Sequence, residues 1–301
     1  MNDSVAVLGL GNMGSALARA FLASGVRTVV WNRTASKADT LINAGARGAP
    51  DARSAVAAAS VNVICLDTYS QVRAVLNSCG TTPDALAGKT IVNLTWGDAG
   101  EGTKMRDLVE GRGGSYIDGD VLDYPSNIGS PSALLIFAGS RQVFDACSEV
   151  LTALGRAQFV GDDPGAANAM GMAGALFHNV AVVGFYEAAA YAAVNGVSPR
   201  AFLELTSDIG YEVCDRALVD GLGHIESGDL STDQSTIDIH YETARLQRKA
   251  FESERMLGTL NQAVCEVLES ARSRGHGSSA MAAVYTTMLK GAHLLAGGER
   301  C

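Results

Sequence analysis

None of the six cysteines (Cys65, Cys79, Cys147, Cys214, Cys265 and Cys301) falls in a CxxC pair or beside a cluster of histidines. That scatter signals neither a zinc site nor a disulfide framework, so no metal is expected. Proline is scarce, at 6 of 301 residues, which leaves room for uninterrupted helices. Positive charge is also in deficit: 23 Lys and Arg stand against 32 Asp and Glu, giving a formal net charge of -9. A nucleic-acid footprint of clustered basic residues is therefore not expected. The first residues lack the basic and apolar regions of a signal peptide, which predicts a cytoplasmic protein. Charge is missing altogether from residues 166–186, AANAMGMAGALFHNVAVVGFY. The run is long enough to cross a bilayer, yet it holds Asn168, His178 and Asn179 and has no flanking basic cluster to orient it. A long buried helix is the better expectation, and no membrane partner is expected.

From residue 4 to about 162 the chain alternates short β-branched runs with Ala- and Leu-rich helical stretches. SVAVLGL, TVVWNR, VNVICLD, KTIVNLT, SYIDGDVL and ALLIFAG read as strands, with helices between them. The pattern predicts an α/β domain with a doubly wound parallel sheet over residues 1–162. After the run AQFVGDDPG the strand signals stop, and residues 163–301 read as an all-α domain opening with a long helix at about 164–194. A helix apolar on every side needs burial on every side, which so few helices scarcely provide. A homodimer with intertwined helical domains is the expected solution.

VAVLGLGNMGSALARAF sets Gly9, Gly11 and Gly14 where the first strand ends and the first helix begins. In that context the glycines are a dinucleotide-binding fingerprint, with the N–H groups of Gly11, Asn12, Met13 and Gly14 near a pyrophosphate. At the end of the second strand an acidic residue would hold the ribose of NAD. Here Asn32 stands in that place, followed by Arg33, Thr34 and Lys37, which points to NADPH. Arg33 offers a planar guanidinium to the 2′-phosphate and Thr34 a hydroxyl, while Lys37 is either a third ligand or a solvated charge. Loops after the third and fourth strands face the nicotinamide half, which makes Asp67, Thr68, Asn93 and Thr95 candidates there.

Several motifs taken together resemble one family. GLGNMG with WNRT, then VNLTWG, GGSYIDGDVLDYPSNIGSP, VGDDPGAANAM and ARSRGHGSSAMAAV are similar, in order, to the NADPH-dependent imine reductases, a branch of the β-hydroxyacid dehydrogenase group. The resemblance implies a Rossmann domain, an interdomain helix, and a helical domain wrapped around its partner with active sites formed between two chains. It also implies hydride transfer from NADPH to C=N bonds, in some members coupled to condensation of a ketone with an amine. The related dehydrogenases carry a Lys on the long helix and an Asn four residues later. Gly171 and Ala175 stand there in this chain, which disfavours alcohol oxidation. Imine reductases commonly place Asp or Tyr where Gly171 stands, so the usual acid position is empty.

Asp123 is then the first candidate for the acid and Tyr124 the second, both in DGDVLDYPS near the expected nicotinamide. The alternative for Asp123 is a solvated loop carboxylate. Asn179, two helical turns past Gly171, is expected to face the same cleft, whereas His178 points elsewhere and reads as structural. Trp96, Leu122, Met172, Ala175 and Tyr211 are candidate pocket residues. Asp238 and His240 are candidate polar groups from a partner chain, His240 having a structural role as its alternative. Two other functions stay open on sequence grounds: a β-hydroxyacid dehydrogenase or small aldehyde-acid reductase, and a dimeric NADPH-binding protein without catalysis.

Overall fold

The computed structural model describes residues 4–296, with the side chains of Tyr211 and of residues from 290 onward lying outside the description. Two compact units divide at His178 and Asn179.

The first unit is built on an eight-stranded sheet. Its strands are β1 (Ser4–Leu8), β2 (Arg27–Trp31), β3 (Arg47–Gly48), β4 (Val61–Ile64), β5 (Thr90–Asn93), β6 (Ser115–Val121), β7 (Leu134–Gly139) and β8 (Arg156–Gly161). They lie in the order β3-β2-β1-β4-β5-β6-β7-β8. The chain leaves β1 in one direction and returns to β4 on the other side, so the strand order reverses between them. Folds of this kind open a crevice at that point, beyond the carboxyl ends of the strands. Helices α1 (Asn12–Ala23), α2 (Asp39–Asn43), α3 (Ala52–Ala57), α4 (Tyr69–Cys79), α5 (Ala99–Glu110) and α6 (Arg141–Leu151) connect them.

The strands are buried on both faces, which is why they read as continuous apolar runs rather than alternating ones. One face packs Val7, Leu17, Phe21, Phe137 and Leu151. The other packs Leu8, Ile64, Leu76, Ile91 and Met105. The expectation of a wholly parallel sheet needs a correction, because β7 runs antiparallel to β6. The segment 122–133 between them forms turns and no helix. A parallel neighbour usually needs a crossover helix to carry the chain back, and this segment supplies none. The run AQFVGDDPG, read as the end of the strand signals, supplies β8.

The long helix α7 (Gly165–Val194) begins in the first unit and continues into the second. By length and composition it could cross a membrane. The second unit adds α8 (Pro199–Asp208), α9 (Asp215–Ser227), α10 (Ile237–Ser253), α11 (Thr259–Ala271) and α12 (Ala283–Ala296), and its small core gathers Ile237, Cys265, Leu268 and Ala283. Glu187 caps α11: its carboxylate accepts the N–H groups of Leu260 and Asn261 at 3.1 and 3.0 Å. A carboxylate at that end also complements the helix dipole.

Candidate active site

The turn after β1 is shaped by what cannot fit in it. Gly9 has φ 99°, in the left-handed region, and a Cβ there would collide with the Cys65 carbonyl and stand 2.7 Å from Leu66 Cδ2. A Cβ on Gly14 would overlap the Gly9 carbonyl, so the first turn of α1 lies directly against the strand end. Gly11 is different, with no atom within 4 Å of its Cβ position. It sits at the N-terminus of α1, where no side chain caps the free N–H groups. Two cavities meet there. One, of about 340 Å³, is lined by Gly11, Cys65, Leu66, Asp67, Trp96 and Val121 among others. The second, of about 650 Å³, runs from Leu10 and Gly11 toward Arg19, Lys37 and Tyr124. Uncapped helix N–H groups beside an open glycine suit the phosphates of a dinucleotide.

Asn32, at the end of β2, is occupied by the backbone. Its Oδ1 accepts the Leu10 N–H and its Nδ2 donates to the Thr34 carbonyl, both at 3.0 Å, tying the two loops together. Arg33 and Thr34 are exposed beside it, while Lys37 borders the larger cavity. The Asp67 N–H donates to Gln71 Oε1, Thr68 caps α4, and Thr95 Oγ1 accepts the Leu66 N–H at 3.1 Å. Asn93 is fully buried and donates to the Tyr116 hydroxyl and to Asp118.

That last contact leads to two carboxyls the candidates above did not include. Asp118 and Asp120 are alternate residues of β6 and share one face of the strand. Asp118 accepts from the Tyr69 hydroxyl at 2.7 Å, the Tyr116 hydroxyl at 3.0 Å, the Asn93 amide at 3.3 Å and the Asn168 amide at 2.6 Å. Burial pushes its carboxyl up to about 7, against the pull of these donors. Asp120 is 3% exposed, and burial pushes its carboxyl up to about 7 as well. The Val121 N–H, which donates to it, and the nearby Trp96 side chain pull it the other way.

Gly171 packs over this second carboxyl, and a Cβ there would overlap Asp120 Oδ2 and lie 2.6 Å from Cγ. The signal was present in the sequence: DGD at the end of a strand aims two carboxyls to the same side.

The remaining candidates are dispersed. Asp123 braces its own loop, its Oδ1 accepting the Tyr124 N–H and its Oδ2 the Asn127 amide, both at 2.7 Å. The Tyr124 hydroxyl meets His178 Nε2 at 3.0 Å, edge to face, which gives His178 a partner. Leu122 reaches α7 at Gly174. Trp96 is 45% exposed at the cavity, Ala175 is half-buried, and Met172 and Asn179 are exposed. In the second unit Asp238 accepts from Arg272 Nε at 2.5 Å, and His240 borders a separate cavity of about 1260 Å³. Tyr211 lies in a π-helical turn, Ile209–Cys214, and its side chain is outside the description.

Comparison with known proteins accounts for nearly the whole chain. Residues 4–163 match the NAD binding domain of 6-phosphogluconate dehydrogenase, and residues 163–290 match the C-terminal domain of the NADPH-dependent reductive aminase-like family. An NADPH-dependent reductive aminase of Aspergillus oryzae is 30% identical over 94% of this chain and 96% of its own length. An imine reductase from a Pseudomonas species superposes with a TM-score of 0.90 at 29% identity, covering 96% of this chain and 100% of that one. A reductive aminase from Aspergillus terreus, solved with NADPH4, cyclohexanone and allyl amine, gives 0.88 at 27% identity, with 96% and 100% covered. The chain belongs to the family of NADPH-dependent reductive aminases and imine reductases.

Proposed function

We propose that this protein reduces C=N bonds with NADPH, acting on imines or on a ketone condensed with an amine. The observation that carries the reading is the cradle at Gly11, open on its Cβ side and flanked by uncapped helix N–H groups, in a chain that matches a reductive aminase over 94% of its length. The residues present fit the cofactor. Gly11, Asn12, Met13 and Gly14 would hold the pyrophosphate, Arg33 and Thr34 the 2′-phosphate with Lys37 nearby, and Asp67, Thr68 and Thr95 would flank the nicotinamide half. When bound, NADPH supplies a hydride.

The chain's own task is to orient the imine carbon and to provide or withhold a proton at nitrogen. Residues 1–162 serve as the cofactor domain and 163–301 as the substrate and dimerisation domain. The exposed apolar surface of α7 supports a homodimer over a membrane span. Thiols free of disulfides among the described residues suit a cytoplasmic setting.

Following NADPH oxidation with cyclic imines, ketone and amine pairs, and aldehyde acids tests the reading. Turnover with the first two classes is expected. Reduction of aldehyde acids alone would overturn it in favour of a hydroxyacid dehydrogenase-like activity, and tight NADPH binding without turnover of any class would indicate a binding protein.

A further inference from the structure

Reduction of a neutral imine consumes a proton as well as a hydride, and the side chain at position 171 cannot give one. The carboxyls nearby are not equivalent. Asp118 is committed to four side-chain donors, and Asp123 to its own loop. Asp120 accepts the Val121 N–H at 2.8 Å through Oδ1, and the Trp96 side chain lies near enough to favour its ionised form. Trp96 and Val121 both line the cavity that starts at Gly11, as does Cys65, whose thiol is held up in part by the Asp120 charge. Asp120 therefore lies near the carboxyl end of β6, buried directly behind Val121 and Trp96, which wall the candidate cofactor cavity. Because Gly171 has no Cβ, α7 closes over the carboxyl without displacing it.

We propose that Asp120 is the proton donor to the imine nitrogen, reaching from β6 into space that any side chain at position 171 would fill. The assignment rests on the imine-reducing reading. In the step the Asp120 O–H bond breaks and an N–H bond forms. Hydride adds to the imine carbon, NADPH being oxidised to NADP+ and the C=N bond reduced to an amine, and the carboxylate regains its proton from solvent. Burial, by holding the carboxyl up to about 7, keeps a protonated fraction near neutrality. The titratable neighbours are the Cys65 thiol, with Asp67 acting on it, from the loop after β4, and Asp118 on the same face of β6. Trp96, after β5, does not titrate, and α7 presents the Gly171 backbone.

The test compares a neutral cyclic imine with its N-methyl iminium salt, which accepts hydride but needs no proton. Asp120→Asn keeps the shape of the side chain. It is expected to lower kcat/KM on the neutral imine by about 10²–10⁴-fold while the iminium salt changes by less than about threefold. Wild-type kcat/KM on the neutral imine should fall as pH rises through neutrality, and the variant's should not. Two readouts do not depend on turnover. NADPH affinity, by fluorescence titration, should be unchanged, and carbon-13 NMR of the free enzyme should show a carboxyl titrating near neutrality that vanishes in Asp120→Asn. Equal losses on both substrates, or no loss on either, would overturn the assignment alone. A wild-type chain that turns over neither substrate would overturn the imine-reducing reading and the assignment with it.

Discussion

The side-chain amide of Asn168, in the first turn of α7, donates to Asp118 Oδ2 and to the Tyr69 hydroxyl, each at 2.6 Å. One buried amide thereby joins α7 to β6 and α4. Gly102 of α5 permits the closeness, since a Cβ there would overlap Asp118 Oδ2 and touch the Pro164 backbone at 3.2 Å. The start of α7 is thus fixed by polar contacts in a buried site, where each unmade hydrogen bond is expensive. Asn168→Ala should lower unfolding stability by about 1–3 kcal/mol in urea titration. Amide hydrogen exchange should quicken in the first turns of α7. An unchanged midpoint together with unchanged exchange would mean that the helix is anchored by its apolar contacts instead.

Both β6 carboxyls are raised to about 7, which sets a sign for stability against pH. An acid whose folded value lies above its unfolded value keeps a proton that the unfolded chain has already released. The stabilisation from each is fully present below the unfolded value near 3.8 and is lost as pH rises through about 7. The difference in stability between wild type and Asp120→Asn should therefore drift against the wild type across that window. The slope limit is about 1.4 kcal/mol per pH unit for one group. Chemical unfolding of both proteins at several pH values measures it, and a drift in the opposite sense would show that the buried carboxyl is ionised.

Gly14 and Gly11, both in the first turn, should fail in different ways. Gly14→Ala pushes a methyl group into the Gly9 carbonyl, so its main effect is expected on folding, as a lower melting temperature and poor soluble yield. Gly11→Val meets nothing in the free protein but projects into the space beside the uncapped N–H groups of α1. It should leave the melting temperature of the free enzyme nearly unchanged and remove the upward shift that added NADPH produces. Calorimetry with and without NADPH separates the two, and a retained NADPH shift in Gly11→Val would place the pyrophosphate elsewhere.

Much of this architecture was legible in the sequence because strand and helix periods are local. The glycine spacing marked the β1 to α1 turn, and the end of the strand signals marked the start of the helical region. What escaped was non-local. The antiparallel turn of β7 depends on the absence of a helix in 122–133, and DYPSNIGSP does not declare whether its turns carry a crossover. Asp123 looked available because a loop carboxylate gives no sign in sequence of being held by Asn127. Asp120 looked like one more strand residue. Its meaning comes from Gly171, 51 positions away in sequence and set over it in space.

That same helix bears on the expected partner. Leu176, Phe177 and Tyr186 of α7 are 67%, 64% and 65% exposed in the single chain. Burying one such side chain is worth about 1.5–3 kcal/mol, so a helix that leaves this many in water would be a poor end point for folding. A second copy offering the same surface gives a self-complementary solution, as two-fold interfaces require. Leu176→Glu combined with Tyr186→Glu would place unpaired carboxylates in that interface at a cost exceeding the apolar gain. Light scattering should report a dimer for the wild type and a monomer for the double variant at micromolar concentration. A wild-type chain that is monomeric in solution, or that partitions into lipid vesicles, would show that something other than a second copy covers α7.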